Sequence, residues 1–211
     1  MGFSEADIIK TLIMVAALAV AIIGHEIMHG YVAYRYGDTT AKAQGRLSIN
    51  PIKHIDPIGT IAVPALLFVA NAPFLFGWAK PVPIDGYTVL RNGGYLGMVN
   101  VSLAGIAYNL VLAFGSAFFI NNGVDHGILG YFLFQLLVYN VVLGVFNLLP
   151  IPPLDGSKAI AYGGLMMGHT GIARWMQKIE PYGMILLVII LATPLSDTLF
   201  GVIRAIITAL L

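Results

Sequence analysis

The chain has 211 residues, of which 58% are hydrophobic and 10% charged, with five His, no Cys and a formal net charge of +1. Soluble domains carry about 25% charged residues, so this composition excludes a single water-facing globule and points to the bilayer as solvent. The lack of Cys excludes disulfides, thiol nucleophiles and Cys-based metal sites. The near-neutral charge gives no Lys/Arg cluster for a nucleic-acid partner.

Four stretches are apolar and long enough to cross a membrane, which takes about 20 helical residues. The first, Ala6 to about Tyr34, lacks the basic start and small-residue cleavage site of a secretion signal and reads as a retained helix. The second is Leu96 to Asn121, and after an Asn-Asn-Gly-Val-Asp turn the third runs from Gly127 to Leu149. The last, Pro181 to Leu211, contains Pro194 and reads as one kinked helix.

Between the first two crossings, Gly37 to Tyr95 is the least helix-like part of the chain. Ala41 to Ile49 shows short alternation and predicts an extended hairpin or edge strand. Gly59 to Gly77 is apolar but broken by Pro64, Asn71 and Pro73, a pattern that fits either a fifth crossing or a re-entrant loop. Gly77 to Ile84 carries Pro81 and Pro83 and must be extended, because a residue before proline is pushed out of the helical region. The fold class expected is an all-α polytopic membrane protein with about four to six transmembrane helices and a small re-entrant or β-hairpin segment near the site. It forms a single domain, 1–211, with a core over 6–160 and one or more C-terminal helices over 181–211.

Chemistry is concentrated in His25-Glu26-Ile27-Met28-His29. On a helix, His at i and i+4 share one face with Cβ atoms roughly 5–6 Å apart, so both rings can reach one zinc ion, and the adjoining Glu can serve as general base. Ionisable residues inside an apolar segment are costly unless paired or bound, which favours function over a hydrogen-bonded structural role. A third ligand is needed. Asn147-Leu148-Leu149-Pro150-Ile151-Pro152-Pro153-Leu154-Asp155-Gly156 opens the end of an apolar helix with three prolines. Asp155 is the first acid in it, and reads either as a helix N-cap or as that ligand.

These two motifs together resemble the site-2 protease family of intramembrane zinc metalloproteases. Asn50 to Thr60 and Gly77 to Pro83 resemble the short bacterial and archaeal members without a PDZ domain. The resemblance covers about residues 20 to 160. It implies that His25, His29 and Asp155 bind one catalytic Zn2+, that Glu26 is the catalytic base, and that Asn147 helps hold the substrate carbonyl. It also implies a transmembrane protein substrate, such as an anti-sigma factor or other signalling precursor, cut within the lipid bilayer of a prokaryotic cell membrane. Asn147 reads equally as a helix-end bond to backbone. Where the family has Ala-Gly-Pro ahead of an Asn, this chain has Ala104-Gly105-Ile106 ahead of Asn109. Asn109 either braces the site or, the favoured reading, bonds across helices. His54, His126 and His169 fall in loops and read as surface residues. A metal or proton transporter is the alternative function, but it would spread its ligands along a path.

Topology constrains the metal reading. His29 and Asp155 reach one side only if Gly59 to Gly77 does not cross. With that loop re-entrant, Arg35, Lys42, Arg46, Lys53, Lys80, Arg91, Lys158, Arg174 and Lys178 share a face, nine of the eleven basic residues. The positive-inside rule makes that face cytosolic and puts the site nearer to it.

Overall fold

The computed structural model describes residues 4–71 and 77–211. Among them there is no strand, and four helical stretches are long and apolar enough to span a membrane: Glu5–Arg35, Gly86–Asn121, Gly127–Leu148 and Thr170–Ala192. The protein is an all-α polytopic membrane protein.

Helix α1 (Glu5–Arg35) starts at a capping box, in which Ser4 Oγ accepts from the Asp7 N–H and the Asp7 carboxylate accepts from the Ser4 N–H; two donors that the first turn leaves orphaned are thereby satisfied. At ~1.5 Å per residue its 31 residues exceed the ~30 Å hydrocarbon core. The expected hairpin at Ala41 to Ile49 is absent. Thr40–Ala43 forms a single helical turn, α2, and the rest is irregular. The alternation there reflects packing rather than a ladder, since Ala41 and Leu47 both lie against Gly30 of α1.

The next apolar stretch leaves and comes back. A π-helical turn, Pro57–Ala62, runs into α3 (Val63–Val69). These 13 residues extend less than about 20 Å, short of a crossing. The Trp78 N–H then donates to Gly59 O at 3.1 Å, and the Thr60 hydroxyl donates to Trp78 O at 2.8 Å. The two ends therefore meet, as a re-entrant segment requires, with Pro73 and its neighbours at 72–76 lying outside the described residues. Backbone from Gly77 to Asp85 is non-helical, in keeping with its prolines.

Helix α4 (Gly86–Asn121) begins ten residues earlier than expected. Asp85 caps it, its carboxylate accepting from the Tyr87 N–H. The break in α4 lies at Gly94, with φ 60° and ψ −159°, a conformation open to glycine and costly for other residues. Helix α4 passes through Ile106 unbroken. After the loop at 122–126, α5 (Gly127–Leu148) returns, and its C-terminus gives way to the Pro150 to Leu154 segment. Helices α6 (Asp155–Met166) and α7 (Thr170–Ile179) follow.

A 3-10 turn at Glu180–Tyr182 leads to α8 (Gly183–Ala192), and α9 (Leu195–Leu210) ends the chain. The expected single kinked helix over 181–211 is two helices. Thr193, ahead of Pro194, is extended (φ −116°, ψ 166°), as pre-proline sterics favour. Gly183 lies against the Pro152 carbonyl, and Leu210 O accepts from Asn121 Nδ2 at 2.8 Å. This final segment thus leads from beside the opened proline stretch to the far end of α4.

The core is a bundle of α1, α4 and α5. Small residues let the helices approach closely: Gly24 accommodates the Tyr108 ring, and Gly105 accommodates His25. One cluster, Ala33, Val89, Met98 and Val101 with Tyr162, fastens α6 to α1 and α4, and another, Ala113, Val141 and Ile203, fastens α9 to α4 and α5.

Candidate metal centre

Three buried side chains converge where α1, α4 and α6 meet. His25 and His29, one turn apart on α1, face Asp155, the first residue of α6. Nε2 of His25 and Nε2 of His29 are 3.0 Å apart, and each is 3.1 Å from Asp155 Oδ2. The opened segment places the acid: Gly156 lies against the Leu148 carbonyl, a contact that leaves no room for a side chain. The N-cap position of α6 belongs to Leu154 rather than Asp155, so the capping role considered for the acid is not the one it has.

The other ring nitrogens are spoken for. His29 Nδ1 lies 2.7 Å from the Val101 carbonyl and His25 Nδ1 lies 2.6 Å from Asn109 Oδ1. Both partners only accept, so each Nδ1 is a donor and Nε2 is the atom that each ring turns toward Asp155. In the neutral Nδ1–H form, each ring would offer its Nε2 lone pair to a cation shared with the carboxylate. Their mutual separations match the edge of about 3.3 Å expected for a tetrahedron with zinc bonds of ~2.0–2.1 Å. The donor set and its hydrogen bonds to Val101 and Asn109 fit zinc. The Lys158 ammonium stands 3.6 Å from Asp155 Oδ1.

Glu26 is half-buried beside the group, and its Oε2 accepts from the Val82 N–H at 2.9 Å. That bond makes the Gly77 to Ile84 stretch a strap over the site. Lys80 N–H donates to His54 O at 2.9 Å, and Arg46 Nη2 donates to Lys80 O at 2.7 Å. Alternate residues 78, 80 and 82 thus bond inward. An apolar groove of about 470 Å³ lies between the strap and α1, lined by Leu18, Ile22, Pro64, Trp78 and Leu143 among others.

Asn147 is half-buried near the end of α5, where its amide nitrogen donates to Leu143 O at 3.0 Å. Asn109 fills both of the roles considered for it, since it holds His25 and bonds to α1 and α5. His126 and His169 are exposed as expected, but His54 is buried at 3% exposure, its Nε2 2.8 Å from Ser48 O. Its place under the strap explains the difference. Asn140, whose Oδ1 accepts from Asn109 Nδ2, was not singled out by sequence, because an Asn in an apolar helix carries no mark of its partner.

The chain is 40% identical over 195 residues to the protein named "Putative zinc metalloprotease YwhC" of Bacillus subtilis (strain 168), an alignment covering 87% of this chain and 82% of that one. Two further proteins with the same description are similar. Rip2 of Mycolicibacterium smegmatis is 29% identical over 210 residues (95% and 77% of the two chains), and MJ0611 of Methanocaldococcus jannaschii is 31% identical over 176 residues (81% of each). No family model matches, and no solved structure matches. With the two motifs of the resemblance brought together in one buried group and these relatives over most of its length, the chain belongs to the site-2 protease family of zinc metalloproteases.

Proposed function

We propose that this protein is a zinc-dependent intramembrane endopeptidase that hydrolyses peptide bonds within or near transmembrane segments of membrane-protein substrates. His25, His29 and Asp155 would hold the ion, with Glu26 as base and Asn147 toward the substrate carbonyl. The observation that carries this reading is the convergence of three donor atoms 3.0–3.1 Å apart on apolar helices. Zinc bound there supplies Lewis acidity, lowering the pKa of water toward ~7 and polarising a carbonyl. Glu26, with one carboxylate oxygen held by Val82, has the other to accept a proton from water and return it to the leaving amine. Asn147, with one amide hydrogen given to Leu143, has a second for the developing oxyanion.

A transmembrane helix hides its backbone in its own hydrogen bonds, so the substrate must unwind to be cut. An unwound strand can lie along the outer edge of the strap, where Pro81 and Pro83 offer carbonyls but no N–H. The charge bias supports a site nearer the cytosolic face of a prokaryotic membrane, and an anti-sigma factor or other signalling precursor fits as substrate. Among the described residues the one group able to hold a metal is this triad, which does not resemble the extended path of a transporter.

Glu26→Gln should keep zinc while cleavage of a single-span test substrate falls by about 10²–10⁴-fold, and Asp155→Ala should lose the metal. Native-rate proteolysis by Glu26→Gln would overturn the hydrolytic mechanism, and full zinc occupancy in Asp155→Ala would overturn the ligand set.

A further inference from the structure

Two amide side chains, Asn109 on α4 and Asn140 on α5, are buried to 0% exposure inside the bundle. Polar groups in such a place must be satisfied by one another, and here the satisfaction has a direction. Asn140 Nδ2 donates to Leu136 O at 2.7 Å, and Asn140 Oδ1 accepts from Asn109 Nδ2 at 2.8 Å. The second hydrogen on Asn109 Nδ2 goes to Ala21 O at a longer 3.3 Å, and Asn109 Oδ1 faces His25 Nδ1 at 2.6 Å.

A backbone carbonyl only accepts. Leu136 O therefore requires the amino end of Asn140, which turns the Asn140 oxygen toward Asn109. That oxygen also only accepts, so, with the longer bond to Ala21 O pulling the same way, it draws the amino end of Asn109 and turns the Asn109 oxygen toward His25. The His25 proton must then sit on Nδ1, which leaves the Nε2 lone pair for the ion. If both amides were flipped, the Asn109–Asn140 bond would survive, yet N–H would face Nδ1 and the proton would move to Nε2, closing the ligand position. A bond that served only to join α4 to α5 would not need this polarity.

We propose that Asn140 is a positioning residue of the site, acting through Asn109 to hold His25 in the Nδ1–H tautomer. The inference rests on the reading of His25 as a zinc ligand.

The test uses full-length, metal-free protein labelled with ¹⁵N-histidine, in which NMR reports the tautomer of each ring, together with zinc affinity from chelator competition. In the native protein His25 should be a single Nδ1–H species. In Asn140→Leu it should become a mixture of tautomers while His29, held by Val101 O, stays unchanged and shows that the site is still folded. Zinc affinity should fall about tenfold, at the low end of what loss of such a support costs. Asn140→Asp, a neutral acid in that apolar setting, can donate to Leu136 O and accept from Asn109, and should restore both readings. Because Asn140 acts through Asn109, the double variant Asn109→Leu/Asn140→Leu should bind zinc no more weakly than Asn109→Leu alone. An unchanged His25 tautomer in Asn140→Leu, or additive losses in the double variant, would overturn the proposal. Mixed tautomers with native zinc affinity would instead remove His25 from the ligand set and leave the positioning role of Asn140 standing.

Discussion

Gly105 shows how tightly the site is built at the residue scale. A Cβ placed there would stand 2.6 Å from Nδ1, Nε2 and Cε1 of His25, closer than carbon packs against a ring. In an ordinary helix interior Gly→Ala is worth about 0.5–1 kcal/mol in favour of Ala. Here the methyl must displace a ring whose two nitrogens are both committed, so Gly105→Ala should weaken zinc binding about tenfold or more while helical circular dichroism stays native. Native affinity in that variant, by chelator competition, would mean that the ring has room to move. The histidines were legible in sequence because i, i+4 is a local relation, and Asp155 because prolines expose the only acid in its segment. Asn140 was not legible: its pairing joins residues 31 apart on two helices, and apolar periodicity records burial without recording partners. Asn147 reads from sequence as either an oxyanion donor or a helix-end bond, and its bond to Leu143 O occupies one amide hydrogen without deciding the role of the other.

At the scale of elements, the long helices follow from runs of apolar residues, and their ends follow from caps and prolines. The errors came where local signals competed. The stretch from Gly37 to Tyr95 is the least helix-like in sequence, yet Asp85 caps a helix that runs on through Gly93 and Gly94 with one left-handed break. Ala41 to Ile49 alternates like a strand, but among the described residues there is no strand to pair with it, and a single helical turn forms there instead. On the proposed mechanism the strap bears on the base, since Val82 of the strap donates to Glu26. Gly59 lies against the Trp78 indole, and Trp78 bonds back to Gly59, so Gly59→Val should push the start of the strap away from the re-entrant segment. The bond from Val82 to Glu26 would loosen, while His25, His29 and Asp155, which are held by α1, α4 and α6, would not move. The expected outcome is retained zinc with proteolysis reduced at least tenfold. Equal loss of metal and activity would show that the strap supports the ligands rather than the base.

For the whole molecule, the requirement is that residues from distant parts of the chain reach one depth from one side. His29 ends its stretch of α1 near the strap, and Asp155 follows α5, which returns from the far end of α4; the pair meets at 3.1 Å. That meeting is possible only if the chain between α1 and α4 does not cross, and Gly59 and Trp78 bonded to each other supply the turn back. Charge gives the same answer by an unrelated route, since Arg35, Lys42, Arg46, Lys53, Lys80, Arg91 and Lys158 fall on one side under this topology, with Arg174 and Lys178 in the opening turns of the span that starts at Thr170, whereas a crossing at Gly59 to Gly77 divides them almost evenly. The chain has no Cys, so single Cys residues report without background. Cys at Lys53 and Cys at Arg91 should both react with an impermeant thiol reagent applied from the cytosolic side, and Cys at Asn122 only from the opposite side. Labelling of Lys53 and Arg91 positions from opposite sides would make the stretch a true span. Asp155 would then emerge on the face away from His29, and the ligand set, the strap over Glu26 and the cytosolic placement of the site would all fail together.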